Sequence, residues 1–213
     1  MKLTVIGCAG SFAGPESAAS CYLLEAPFEG GTFRLLLDLG SGAFGALQRH
    51  IDPIDVDAIS LSHLHPDHCF DISGMYVYRK YHPSGRASQI PVIAPAGADW
   101  HLSNAYGTTE PNGMTLPFEF REHVDGQVQS IGPFTITSMR VDHPVPTFAV
   151  KVTAGDSSLV YSGDTAYMDT LADFVCGADA FLCEASFVES AENPPGLHVT
   201  GAEAGTIAAD SEV

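Results

Sequence analysis

The sequence predicts an α+β fold, and three observations carry that expectation. Short apolar segments of strand length come in runs, helical stretches interrupt those runs, and no repeat, heptad or low-complexity tract points to another architecture. With 213 residues, 45% hydrophobic and 16% charged, the chain can bury a sizeable core. No composition shift marks a boundary, so residues 1–213 are expected to form one domain.

The first strand falls at residues 3–6, where an apolar stretch too short for a signal peptide meets Gly7 at once. Strands follow at residues 21–25, 34–38, 58–61 and 91–94. Residues 58–61, a short apolar run, have the look of a buried strand. A second run of strands covers residues 135–141, 147–152, 159–162 and 179–184. Helices are expected at residues 43–50, within 69–81, at 168–174 and at 200–209. The last opens on Thr200 with Glu203 three residues on, the signature of a capping box. Pro111-Asn112-Gly113 and Pro194-Pro195-Gly196 mark loops.

Directly after the strand at 58–61 stands His63-Leu64-His65-Pro66-Asp67-His68, an H-x-H-x-D-H motif. From the His and Asp content of the chain, a chance match is on the order of one in a thousand. Neutral imidazole and carboxylate suit zinc, with manganese or iron as substitutes. A solvated His-rich turn would show the same letters. Two later candidates also follow predicted strands: His143, flanked by Asp142 and Pro144, and Asp164, just after Gly163.

On these residues the chain resembles the metallo-β-lactamase-fold hydrolases. Within them it is similar to the branch holding the tRNA 3′-processing endonucleases and the actinobacterial phosphodiesterases of cyclic nucleotides. The resemblance runs from Thr4-Val5-Ile6-Gly7-Cys8-Ala9-Gly10-Ser11 through Leu37-Asp38-Leu39-Gly40 and the histidine motif. It continues to Ser162-Gly163-Asp164-Thr165, Cys183-Glu184-Ala185-Ser186 and His198-Val199-Thr200. Tyr81-His82-Pro83-Ser84 and Cys183-Glu184-Ala185-Ser186 lean toward the phosphodiesterase branch. The resemblance implies a four-layer αβ/βα sandwich and two divalent metal ions, zinc by preference and manganese or iron otherwise.

Carried over by position, the resemblance gives His63, His65 and His143 to one metal, Asp67 and His68 to the second, and Asp164 to both. Two dications about 3.5–4 Å apart would activate a water as hydroxide near neutral pH, and Asp67 could orient it. Asp38 resembles the family's structural aspartate, which positions ligand imidazoles; a turn or N-cap role fits the same letters. Glu184 and His198 could together protonate a leaving alkoxide. Arg79 and Lys80 could grip a phosphate, although a helix that buries its tyrosines and exposes its cations reads identically. Cys69 and Cys183 read as packed thiols. The family closes its second metal site with a histidine after the final helix, and no histidine follows His198. The expectation is a truncated end lacking the C-terminal strand, with an incomplete second site or a substitute ligand as the alternatives.

The net charge of −17, nine Lys and Arg against twenty-six Asp and Glu, argues against a grip on extended nucleic acid, which needs a basic face. The only basic cluster is Arg79, Lys80 and Arg86, and no basic Gly-rich arm is visible. No apolar run could cross a bilayer, and five scattered cysteines without a C-x-x-C pair suggest reduced thiols and a cytoplasmic location. The leading expectation is a metal-dependent phosphodiesterase for a small phosphodiester such as a cyclic nucleotide. The alternatives are a tRNA 3′-end endonuclease, a thioester, lactone or β-lactam hydrolase, and an idle metal-binding protein. Oligomeric state is left open, a homodimer included.

Overall fold

The computed structural model describes residues 1–85, 88–108 and 112–213. Arg86 of the basic cluster and Pro111 of the first loop motif lie outside the described residues. The chain divides into two compact units, residues 2–122 and residues 123–213 together with Met1.

The first unit is built on seven strands: β1 (Lys2–Ala9), β2 (Ala18–Ala19), β3 (Cys21–Phe28), β4 (Gly31–Leu37), β5 (Ala58–Ser60), β6 (Ile90–Ala94) and β7 (Phe118–Glu122). They pair in the order β2-β1-β3-β4-β5-β6-β7, antiparallel at β1/β3 and β3/β4 and parallel from β4 to β7. Among the described residues four α-helices accompany them, α1 (Ala43–Leu47), α2 (Pro66–Cys69), α3 (Ile72–Lys80) and α4 (Ala98–Tyr106), with a 3-10 turn at Pro53–Asp55. Strand alternation decides which side chains meet them. Leu23, Leu36, Ile59, Val92 and Phe120 stand opposite one another in register, so they form a single row across the sheet. That row packs with Ala43, Ala46 and Leu47 of α1, Ile72, Met75 and Tyr76 of α3, and Ala98 and Leu102 of α4. Leu24, Leu35 and Leu37, whose side chains point the other way, are also fully buried. A strand buried on both faces needs no alternation, which is why Leu35-Leu36-Leu37 is continuous.

The second unit carries β8 (Val128–Ile131), β9 (Phe134–Arg140), β10 (Phe148–Ala154), β11 (Ser157–Tyr161) and β12 (Ala180–Leu182) in the order β12-β11-β10-β9-β8. Only the β11/β12 pair is parallel. Helices α5 (Asp169–Val175) and α6 (Gly201–Asp210) complete it. Val141, Ala149 and Val160 pack against Leu171 and Val175 of α5 and Ile207 of α6. The capping box at α6 forms as expected: Thr200 Oγ1 accepts the Glu203 N–H at 3.2 Å, and Glu203 Oε2 accepts the Thr200 N–H at 2.8 Å. The helix predicted at 43–50 stops at Leu47, and the strand predicted at 179–184 stops at Leu182.

His123 of this unit is 3% exposed, stacks on Phe148, and has Nδ1 2.7 Å from Ser138 Oγ. Burial pushes its pKa down to about 3. Below about pH 6.5 the unfolded chain therefore takes up a proton that the folded chain refuses until about pH 3. We expect stability to fall by about 1.4 kcal/mol per pH unit across that window from this residue alone. His123→Asn, which keeps a polar atom near Ser138, should flatten the slope by that amount in urea unfolding at pH 5 and pH 6. An unaltered slope would count against it.

Candidate metal centre

Parallel strands deliver the histidine motif. β4 and β5 end side by side, and the Asp38 N–H donates to the Ser60 carbonyl at 2.8 Å to extend the ladder by one residue. The chain then leaves β5 through Ser62 and His63, and α2 begins after His65 with Pro66 in its first turn. Gly40 makes this compact: a Cβ there would overlap the Asp67 carbonyl, so only glycine lets the β4 loop lie against α2. The Leu39 N–H donates to the His68 carbonyl at 2.8 Å and ties the two together.

Asp38 organises the cluster. It is fully buried with φ of 58°, a left-handed conformation uncommon for a non-glycine residue. Its Oδ1 accepts the Ser62 N–H at 2.6 Å, and its Oδ2 accepts the Ser62 hydroxyl at 2.8 Å and His68 Nδ1–H at 2.7 Å. Because the Ser62 proton goes to Asp38, Ser62 Oγ is the acceptor for His63 Nδ1–H at 3.0 Å. One carboxylate thus sets two tautomers, with the lone pair of His63 and of His68 on Nε2. His63 Nε2 stands 3.0 Å from His65 Nδ1, near the spacing of two ligands on one ion with metal–nitrogen bonds of about 2.0–2.1 Å. Asp67 Oδ2 accepts the Ser11 N–H at 2.8 Å and lies 3.4 Å from His68 Nε2. Two electron-rich atoms facing each other at that distance suit a cation between them.

The second unit gathers its own set. β9 and β11 run in the same direction, with β12 parallel to β11, so all three end at one edge of the five-stranded sheet. His143 follows β9, Asp164 follows β11 through Gly163 at φ of 58°, and Glu184 follows β12. His198 lies before α6, in a loop joined to residue 187 by a bridge between Phe187 and Thr200. His143 donates Nδ1–H to the Leu197 carbonyl at 2.9 Å, and His198 donates Nδ1–H to Glu184 Oε1 at 2.9 Å. Both again present Nε2. Glu184 also accepts the Thr165 N–H at 2.8 Å and the Ser186 N–H at 3.1 Å, which locks it in place. Ligand atoms of Asp164, Glu184 and His198 all lie within 4.8 Å of one another.

The two cations expected to bind substrate are placed differently. Arg79 is 2% exposed, and its guanidinium donates to the carbonyls of Pro53, Ile54, Val56 and Ser88 at 2.9–3.5 Å. It fastens the loop before β5 to α3 and has no face for a phosphate, which corrects the substrate-binding expectation. Lys80 donates to the Tyr76 hydroxyl at 2.9 Å and lies over the rings of Tyr76 and Tyr81, so it too is drawn onto its own helix. Arg79→Met should cost about 3–5 kcal/mol, because it strands buried carbonyls. At about 2–4 °C per kcal/mol this is a clear fall in Tm, with KM for a phosphodiester unchanged. A raised KM at unaltered stability would restore the phosphate-binding role. Burial pushes the Cys69 and Cys183 thiols up to about 12, as befits packed thiols.

Residues 34–213 match the β-lactamase superfamily domain. The chain belongs to that superfamily. An uncharacterized protein of Mycobacterium tuberculosis is 42% identical over 217 residues, covering 100% of this chain and 78% of its own length. The probable metallo-hydrolase YhfI of Bacillus subtilis is 32% identical over 217 residues, covering 99% of this chain and 83% of its own. The crystal structure of YhfI superposes with a TM-score of 0.82 over 99% of this chain and 82% of that one, at 30% identity. The short form of human tRNase Z shares the fold alone, at 21% identity and a TM-score of 0.77 over 100% of this chain and 89% of that one. This superfamily member is therefore a hydrolase with the metallo-β-lactamase fold, as the sequence predicts, and is related to YhfI and ribonuclease Z.

The fold implies divalent metal, and the donors fit it. Three imidazoles, His63, His68 and His143, give Nδ1–H to an acceptor of their own unit and so carry their lone pair on Nε2, the arrangement that ligand histidines require. Among the described residues no helix is long and apolar enough to cross a membrane. Sequence reasoning missed Ser62 as the relay between Asp38 and His63, the Ser11 N–H on Asp67, and the Thr165 N–H on Glu184. The first and last adjoin recognised motifs. Ser11, with φ of 63°, ends the first segment of the resemblance, but nothing in its letters pointed to its backbone N–H as the partner of Asp67.

Proposed function

We propose that the protein is a metal-dependent phosphodiesterase acting on a small phosphodiester such as a cyclic nucleotide. The observation that carries this reading is the His198–Glu184 pair beside Asp164. A phosphodiester of an aliphatic alcohol expels an alkoxide, which is a poor leaving group unless protonated. An imidazole oriented by a carboxylate that is itself held by two backbone N–H groups is built to deliver that proton. Glu184 stabilises the charged form of His198, and Nε2–H of that form is the proton source.

Zinc, with manganese or iron as substitutes, would be held by the residues that the resemblance implies: His63, His65 and His143 on one ion, Asp67 and His68 on the other, Asp164 shared. Such ions, when bound, supply Lewis acidity toward phosphoryl oxygens and acidify a water. Asp38 keeps His63 and His68 in the ligating tautomer, and the Ser11 N–H fixes the Asp67 carboxylate.

A small substrate is favoured over folded RNA by the distribution of cations. Residues 123–213 contain only Arg140 and Lys151. Arg140 lies over the Phe148 ring, while Lys151 donates to the Cys176 carbonyl. With Arg79 internal as well, little positive charge remains to track a phosphate backbone. Rates on 3′,5′-cyclic AMP, bis(p-nitrophenyl) phosphate, precursor tRNA and nitrocefin, measured side by side with zinc and with manganese, test this. The two small phosphodiesters should be cleaved fastest. Faster cleavage of precursor tRNA or nitrocefin overturns the reading.

A further inference from the structure

Beside His198 the second unit contains a cleft of about 380 Å³, within the range of about 300–1,000 Å³ common for small-molecule sites. Its lining combines two aromatic walls, Tyr167 and Phe187, with three carboxylates, Asp142, Glu189 and Glu203, and includes no lysine or arginine. Phe187 stands edge-on to the His198 ring with centroids 5.1 Å apart, so the cleft opens directly at the proton source of the proposed reaction.

The three carboxylates are not equivalent. Glu203 is engaged by the backbone and hydroxyl of Thr200 in the capping box, and Glu189 accepts the Ala202 N–H. Asp142, next to His143 in the chain, is solvent-exposed. Its backbone N–H meets Met168 Sδ, and its backbone carbonyl accepts the Ala166 N–H. Its carboxylate accepts no hydrogen bond from the described residues and is open to a ligand. Aromatic walls give a planar or ring-shaped group something to pack on. A carboxylate with its acceptor sites open selects hydroxyl or amine donors. Three negative charges, with no lysine or arginine among the lining residues, repel a phosphate seated away from His198.

We propose that this cleft seats the uncharged, hydroxyl- and amine-bearing part of the substrate, a nucleoside-like group, with Asp142 as its acceptor and Tyr167 and Phe187 as its walls. This rests on the phosphodiesterase reading and deepens it. The phosphodiester lies on the His198 side, and a substrate carrying a further phosphate in the cleft is rejected.

The test uses adenosine and adenosine 5′-monophosphate as probes of the whole chain freed of metal, with affinity read by saturation-transfer NMR and calorimetry. Adenosine should bind, and the monophosphate should bind at least about fivefold more weakly. Asp142→Asn and Tyr167→Ala should each weaken adenosine by about fivefold, and Asp142→Lys should reverse the order of the two probes. Both positions are exposed, and unchanged circular dichroism verifies that the variants fold. The inference is overturned if adenosine fails to bind, if the monophosphate binds as well as adenosine, or if both weakening variants match the parent protein. Hydrolysis of cyclic AMP by the metal-loaded protein is read separately. Hydrolysis without adenosine binding overturns the cleft assignment alone, whereas adenosine binding without any phosphodiester hydrolysis overturns the function and leaves the cleft.

Discussion

Replacing His63 or His65 with Ala is expected to lower kcat/KM for a small phosphodiester by at least about a thousandfold. That factor corresponds to about 4 kcal/mol of transition-state stabilisation, the scale of the charge stabilisation that a metal supplies. The two rings touch edge to face with their nearest nitrogens 3.0 Å apart, so either truncation removes one of a matched pair. The fold should survive. His63 is buried, yet it stands beyond the end of β5 and outside the apolar row from Leu23 to Phe120, so Tm should fall by only a few degrees. Elemental analysis of protein never exposed to chelator should show less than the parent's metal content. Parent-level turnover by either variant, or parent-level metal in both, would remove these histidines from the site.

How much of this was legible depends on where the information lies. The histidine motif, His143 and Asp164 could be read because each side chain stands at the end of an apolar strand, and strand ends are visible in the hydrophobic pattern. The parallel strands β4 to β6 were legible because burial on both faces leaves short apolar runs, Leu35-Leu36-Leu37, Ala58-Ile59 and Val92-Ile93-Ala94. β7 was missed although Phe118-Glu119-Phe120-Arg121 alternates clearly, and its period of two was a usable signal. α4 gave less to go on: only Ala98 and Leu102 of its nine residues are buried, Trp100 is 71% exposed, and no side chain caps its start. β2, two alanines long, is defined by the chain lying beside β1 and leaves no local trace. Arg79 was misread for a general reason. A guanidinium satisfied by backbone carbonyls and one awaiting a phosphate are the same letter, and only the loop folded over it, from Pro53 to Val56, tells them apart. Asp38 could be read as a turn residue or as a support for ligands, and its hydrogen bonds show that it holds Ser62 and His68 in place.

Two substitutions at Asp38 should separate its structural duty from its effect on the ligands. Asp38→Ala removes the acceptor for the Ser62 N–H, the Ser62 hydroxyl and His68 Nδ1–H together. It also puts a β-carbon without a compensating side-chain hydrogen bond at φ of 58°. Breaking a buried, charge-assisted network of this kind costs about 3–5 kcal/mol, so we expect a fall in Tm of roughly 6–20 °C. Asp38→Asn tolerates the left-handed backbone and can still accept the Ser62 N–H through its carbonyl oxygen. Its amide NH2 then points at the Ser62 hydroxyl and His68 Nδ1, donor against donor. His68 escapes the conflict by moving its proton to Nε2, the atom that must stay bare to bind metal. The Asn variant should therefore keep most of its stability but lose about 10–100-fold in metal affinity, the usual effect of removing a partner that orients a ligand histidine. Zinc and manganese affinities by competition with a chromogenic chelator, set beside urea unfolding of the metal-free protein, measure the two effects independently. If Asp38→Asn holds metal as tightly as the parent, Asp38 does not govern the His68 tautomer, and its role is confined to bracing the turn from β5 into α2.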